Sequence, residues 1–226
     1  ESSHHERGPG QNEIDFHRAD PMTSADHQVA FHNAVRTIAA HYGLRASFMP
    51  KPLTDEVGNA FHINLSFYRD RNNLFRMENG ALTAEAASAM AGVLNRLPDM
   101  TLFLNPIPNS YDRLTDEDSP NRVCWSTARG RSAVKLPLPQ NRFARMQVAS
   151  PDPTCNPYLA YALVIRAALE GIENREELPP SAGRDWQNAP MLPESLTEAI
   201  VAAGNSQFIA RSLPREVTEA FLHGGE

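Results

Sequence analysis

Apolar residues change their spacing several times along the chain, and each change predicts an element. Residues 11–16 alternate, with Gln11, Glu13 and Asp15 on one face and Ile14 and Phe16 on the other, the pattern of a half-buried strand. From 23 to 41 the spacing turns helical. Phe31, Val35, Ile38 and Tyr42 fall in register, Ser24 or Asp26 can cap the start, and Gly43 ends it. A short strand is predicted over 45–49, followed by the loop Pro50-Lys51-Pro52. The clearest strand is 61–67, where Phe61, Ile63, Leu65 and Phe67 share one face and His62, Asn64 and Ser66 the other. A second helix is predicted over 82–97 with a Thr83 cap, and further strands over 123–126, 133–136 and 143–149. Asn156-Pro157 supplies a cap and a first-turn proline for a helix running to about Asn174. A loop over 179–193 precedes Ser195-Leu196-Thr197-Glu198, whose capping-box spacing opens a last helical region. Strands come in groups interrupted by helices, without strict βαβ alternation. That order predicts an α+β fold with a largely antiparallel sheet.

Composition narrows the class of protein without naming it. The chain has 226 residues, enough for one large domain or slightly more, and hydrophobic residues make up 41%. Gly 12 and Pro 18 are close to average usage, which excludes collagen-like and low-complexity readings. A net charge of −6 argues against nucleic acid or an anionic membrane as a general partner. Cys124 and Cys155 make neither a disulfide framework nor a zinc cluster, so free thiols in a reducing cytoplasm are expected. The longest apolar stretch, 158–165, is far too short to span a bilayer. The first residues lack both an initiating Met and the apolar core of a signal peptide, so a chain cut from something longer is expected.

Candidate chemistry lies on the polar faces. Glu6, Glu13 and His62 form a carboxylate and imidazole set suited to Mg²⁺ or Mn²⁺. On spacing alone His4, His5 and Glu6 read equally as a solvated terminus, and His62 as a core histidine bonded to a neighbour. Arg113 is followed by Arg129, Arg131, Lys135, Arg142 and Arg145. These are either ordinary surface charges or a site for phosphate and carboxylate groups.

Four segments in order resemble the glutamine synthetase family. Glu1-x-x-x-His5-Glu6 with Gly8-Pro9-Gly10-Gln11-Asn12-Glu13 is similar to its metal-ligand segment. Phe48-Met49-Pro50-Lys51-Pro52 with His62 and Ser66 looks like its nucleotide segment. Asn105-Pro106 with Asn109-Ser110-Tyr111-x-Arg113-Leu114 resembles its glutamate signature, and Ser150-Pro151-Asp152-Pro153 with Asn156-Pro157-Tyr158-Leu159-Ala160 resembles the segment closing its catalytic domain.

The resemblance implies a curved antiparallel sheet backed by helices, forming a funnel that a neighbouring subunit completes. Residues 1–180 would be an incomplete catalytic domain, without the N-terminal β-grasp domain and the first strand with its two metal carboxylates. Residues 181–226 would be a helical extension of it. The implied reaction is ATP-dependent: an acyl phosphate forms on glutamate or a related acid, and ammonia or another amine displaces the phosphate. Glu6 and Glu13 would ligate one Mg²⁺ or Mn²⁺, with His62 and Gln147 at the other. Glu1, Ser66, Lys135 and Arg142 would lie at ATP, Gly58 and Arg113 at the acid, Arg131 at the transferred phosphoryl group, and Asp118 at the ammonium site. A homo-oligomer is implied for the full-length parent.

Departures from the family pattern matter to this reading. The strand face expected to read Arg, Glu, Arg is Arg145, Gln147, Ala149; Lys135 replaces an arginine, and Val57-Gly58-Asn59-Ala60 replaces Asn-Gly-Ser-Gly. Losing a carboxylate and an arginine weakens metal and phosphate binding. A non-catalytic relative that binds nucleotide or amino acid is therefore the alternative, with a metal-dependent hydrolase or plain structural module behind it. Glu6, Glu13 and His62 are expected on one concavity, lined by Arg113, Arg131 and Arg145. Gln147 and Ala149 are expected to open onto it together, and an apolar edge is expected to be exposed.

Overall fold

A computed structural model describes residues 2–77, 81–116, 119–127, 130–137, 144–183 and 185–224. The chain opens with a ribbon: β1 (Ser2–His5) pairs antiparallel with β2 (Asn12–Asp15), and His4 stands opposite Glu13. The first residues are therefore a strand and not a frayed terminus. The turn between them is closed by Gln11 N–H donating to the Gly8 carbonyl, with Gly10 at φ +70°, a conformation that suits glycine.

The first helix, α1 (Pro21–His41), starts two residues before its periodicity. Asp20 caps it, accepting from Thr23 N–H at 3.0 Å, and Pro21 fills the first turn. Neither Ser24 nor Asp26 is the cap. Ala25 alone among its residues is fully buried; Met22, Val29 and Ile38 stay exposed. Phe31 does pack, edge-on against Phe16 and Phe48. No strand forms over 45–49. The Met49 carbonyl is taken by the Asn59 side-chain amide and not by a neighbouring strand.

The principal sheet has the order β3 (Ile63–Leu65), β8 (Met146–Val148), β7 (Ser132–Lys135), β6 (Arg122–Ser126). Its β3–β8 and β8–β7 pairs are antiparallel as expected, whereas β7 and β6 run parallel with a register shift. A hairpin of β4 (Tyr68–Arg69) and β5 (Asn72–Asn73) completes the strands among the described residues.

Behind the sheet lie α2 (Ala84–Leu104) and α4 (Pro157–Glu173). Their caps are the predicted ones. Thr83 Oγ1 accepts from Ala86 N–H at 3.1 Å, and Asn156 Oδ1 from Tyr158 N–H at 3.0 Å. α2 runs seven residues past the predicted end, through Pro98. An interior proline costs about 3 kcal/mol, while a buried Leu or Phe contributes roughly 1.5–3 kcal/mol. Met100, Leu102, Phe103 and Leu104, all buried, outweigh it. α3 (Pro108–Leu114) was not evident from periodicity.

The C-terminal helices α5 (Leu196–Gly204), α6 (Gln207–Ser212) and α7 (Arg215–His223) share the same core through Ala199, Phe208 and Ile209, and Phe221 meets Phe103 at 4.8 Å. Ser195 Oγ accepts from Glu198 N–H at 3.2 Å, but Glu198 reaches back to Glu194 N–H, one residue before the expected box partner. No helix among the described residues is long and apolar enough to cross a membrane.

An ion cluster fastens α4 to α2 and α6. Glu170, with its side chain 6% exposed, accepts from Arg211, Arg96 and Arg166 at 2.5–3.1 Å. The Arg211 hydrogen bonds, then Arg166, hold its carboxyl down to about 2. A carboxyl depressed from 4.5 stabilises the fold fully above that value, and the contribution fades as pH falls toward 2. Urea melts at pH 7 and pH 3 are expected to differ by roughly 2–3 kcal/mol more for the native chain than for Glu170→Gln. Equal differences would remove Glu170 as the acid-sensitive group.

Candidate active site

Candidate side chains lie in two places, on the β1–β2 ribbon and on the exposed face of the β3–β8–β7 strands. On the ribbon, His4 and Glu6 share a face by strand periodicity, and Glu13 is paired opposite His4. His4 Nε2 lies 3.4 Å from Glu6 Oε1 and 3.5 Å from Glu13 Oε2. One ligand atom from each of the three lies within 4.8 Å of the others. Partial burial, with the Glu6 and Asp15 carboxylates nearby, pushes the Glu13 carboxyl up. A hard divalent cation would relieve that crowding of anions, so the donor set fits one. His4 is a member that the sequence reading left with the terminus. The signal for it was its place two residues before Glu6.

On the sheet, Asn64 stands opposite Gln147, and Gln147 opposite Lys135, giving one polar row across three strands. Arg145 Nε donates to Asn64 Oδ1 at 2.8 Å and Gln147 Nε2 to the same oxygen at 3.3 Å. His62, just before β3, keeps an exposed flank, yet burial by surrounding protein dominates its titration, followed by Lys135 and Arg113, and lowers it to about 4. His62 is therefore a neutral imidazole at neutral pH and able to act as a ligand. The ribbon lies close to this segment, since Gln11 of its turn donates to the Gly58 carbonyl and to Asn59 Oδ1 in the loop before β3. Ser66 Oγ donates to the Ala144 carbonyl at 2.8 Å, its hydroxyl engaged with the segment just before β8.

The arginines divide. Arg145 lies at the polar row. Arg113 does not line the cleft: it is 3% exposed and donates to the carbonyls of Ser150 at 2.7 Å and Ala149 at 3.2 Å. Burial lowers it to about 10, which leaves it charged. Arg131 donates to the carbonyls of Asp116 at 2.8 Å and Ser119 at 3.4 Å, and its guanidinium lies 5.6 Å from the Trp186 ring centroid. Its hydrogen-bond partners belong to the loop after α3. Ala149 is 0% exposed and does not open onto the concavity as Gln147 does. Glu1, Asp118, Arg129 and Arg142 lie outside the described residues.

Several motif residues serve as ties between loops. Gln11 Nε2 donates to the Gly58 carbonyl and Asn59 Oδ1 at 3.0 and 2.8 Å, fastening the ribbon turn to the loop before β3. A Cβ at Gly58 would sit 2.5 Å from the Pro50 carbonyl and 2.8 Å from Arg113 Cγ, so only glycine fits. Lys51 exchanges two backbone-to-amide bonds with Asn109, and its ammonium pairs with Asp116. Asn105 Nδ2 donates to the Ser150 carbonyl and to Asp152, each at 3.0 Å. Two hollows lie elsewhere. One, of about 570 Å³, is lined by Arg96, Glu176 and Arg211; Arg96 is already paired with Glu176, and Arg211 with Glu170. The other, of about 480 Å³, lies between α1 and the 46–49 segment.

A family model described as "Glutamine synthetase, catalytic domain" matches residues 1–224. A glutamine synthetase of Methanosarcina mazei is 36% identical over 98% of this chain and 53% of its own length, and one of Thermus thermophilus 35% over the same shares. Among solved structures, ligand-free GmaS superposes with a TM-score of 0.88 at 29% identity, covering 98% of this chain and 53% of that one. A GmaS/ADP complex gives 0.87 at 29%, covering 98% and 54%. The chain spans about half the length of the curated relatives it matches. The chain therefore belongs to the glutamine synthetase family, whose catalytic-domain model it matches over residues 1–224.

Proposed function

We propose that this chain supplies the nucleotide and metal half of an ATP-dependent ligase joining glutamate, or a related acid, to ammonia or another amine. The observation that carries the reading is the His4–Glu6–Glu13 cluster, on a ribbon that Gln11 ties to the loop before His62 and the strand face bearing Gln147, Lys135 and Arg145. In such a reaction an acid oxygen attacks the γ-phosphorus and ADP leaves. The amine nitrogen then attacks the acyl carbon, phosphate leaves, and the nitrogen gives up a proton.

Glu6, Glu13 and His4 would hold one Mg²⁺ or Mn²⁺, and His62 with Gln147 another; bound there, the ions neutralise and align phosphate oxygens. Lys135 and Arg145 put positive charge beside the transferring group. Arg113 acts from behind, holding the carbonyls of Ala149 and Ser150, and so fixes the end of the strand bearing Gln147. Recognition of the acid's carboxylate would then fall to other cations. Assembly into a homo-oligomer belongs to the same proposal.

Calorimetry of the chain with ADP and Mn²⁺ tests this reading. Metal-dependent ADP binding is expected, weakened about tenfold or more in Glu6→Gln/Glu13→Gln with an unchanged melting curve. Phosphate release requiring both an acid and an amine identifies the ligase. Saturable ADP binding without such release supports the non-catalytic alternative, which Gln147 in place of a carboxylate favours. No metal-dependent binding overturns both.

A further inference from the structure

We propose that Asn64 is a positioning residue whose side-chain oxygen orients the Gln147 carboxamide, so that Gln147 offers the cleft its oxygen and not its amide nitrogen. The inference rests on reading the cleft as a cation and phosphate site, and it names a residue that reading does not use.

The polarity of the side-chain row follows from chemistry. Arg145 Nε carries a hydrogen and has no lone pair to offer, so the Asn64 atom 2.8 Å away must be the acceptor oxygen. With Oδ1 fixed there, the Gln147 atom 3.3 Å from the same oxygen must be a donor, Nε2. Flipping Asn64 would turn its NH₂ toward a guanidinium N–H, and flipping Gln147 would set two acceptor oxygens against each other. One cation at Arg145 thereby sets the direction of two amides in series.

Geometry supports the coupling. Asn64 and Gln147 are direct cross-strand partners on β3 and β8, with side chains on the same face of the sheet. On its other flank Gln147 is the cross-strand partner of Lys135 on β7. The negative end of the carboxamide dipole is then the end left for the cleft. This partly replaces the acceptor lost where the family pattern has a carboxylate, although without its charge. A glutamine alone at this position would have no such bias. Asn64 and Gln147 therefore act as a matched pair rather than as two independent losses.

The test compares Asn64→Leu, which removes the acceptor, with Asn64→Asp, which keeps it. The first readout is NMR hydrogen exchange of the Gln147 side-chain amide in the 226-residue chain, assigned by its loss in Gln147→Leu. Exchange is expected to be several-fold faster in Asn64→Leu than in the native chain, and native-like in Asn64→Asp. The second is Mn²⁺ affinity by calorimetry. Asn64→Leu and Gln147→Leu are each expected to weaken it about fivefold, the double variant no further, and Asn64→Asp not at all. Unchanged amide exchange in Asn64→Leu, or losses that multiply in the double variant, would overturn the proposal. If the native chain binds no Mn²⁺, the cation reading of the cleft fails by itself, and amide exchange alone decides the orientation.

Discussion

Alanine at Gly171 is expected to lower the melting temperature by roughly 6–12 °C, or to prevent folding outright. Gly171 on α4 faces Gly92 on α2 where the two helices cross. A Cβ on Gly171 would lie 2.1 Å from the Ser88 carbonyl oxygen and 2.7 Å from Gly92 Cα. A Cβ on Gly92 would meet the Ala167 carbonyl at 2.3 Å. These obstacles are backbone, so relief requires the helices to separate by more than an ångström along a fully buried contact. Overpacking a core costs about 1–3 kcal/mol, and a rigid backbone contact belongs at the upper end. Gly92→Ala should act similarly, and the pair should cost less than the sum, since one separation relieves both clashes. Gly43→Ala is the contrast: φ is +69° but no atom lies within 4 Å of the added Cβ, so only about 1 kcal/mol of backbone strain is expected. Thermal melts showing Gly171→Ala no worse than Gly43→Ala would refute the tight crossing.

That crossing shows where sequence reading stops. Thr83 and Asn156 were legible because a cap is a local hydrogen bond, decided within three residues of chain. The closeness of Gly92 and Gly171 depends on two helices about eighty residues apart, and no periodicity in either announces it. Pro98 misled for the same reason: local chemistry ends a helix there, but tertiary burial beyond it carries the helix on. The strand expected over 45–49 failed because nothing pairs beside it; Asn59, from a distant loop, takes the Met49 carbonyl.

The site shows the same division. The resemblance singled out Glu6 and Glu13, which the ribbon holds together, and His62 and Gln147, which lie before β3 and on its partner strand β8, while their roles stay proposals. It did not reveal that Arg113 turns away from the cleft, because that depends on two main-chain carbonyls finding it first. Asn64 was visible as a polar-face residue, but its partners become apparent only once β3 and β8 are in register.

Restoring the two side chains that depart from the family pattern is expected to have opposite outcomes at the two positions. Gln147→Glu places a carboxylate on a half-buried position between Arg145 and Lys135, where cations already favour it. The variant gives up the Gln147–Asn64 hydrogen bond but should still fold, the nearby cations offsetting the loss, and bind Mn²⁺ about tenfold more tightly, since a hard cation prefers carboxylate to carboxamide oxygen. Ala149→Arg should instead cost on the order of 3–5 kcal/mol. Ala149 is fully buried, its N–H donates to the Ala133 carbonyl at 2.9 Å, and its own carbonyl is already bound by Arg113. A second guanidinium there would enter a packed space beside an existing buried cation, with no carboxylate added to balance it. The double variant should therefore be less stable than the native chain and no better at binding metal than Gln147→Glu alone. Melting curves and Mn²⁺ titrations of the three variants measure both effects. If Ala149→Arg melts within about 1 kcal/mol of the native chain, the space beside Arg113 opens onto the cleft after all, and position 149 returns to the list of residues that can reach a phosphate.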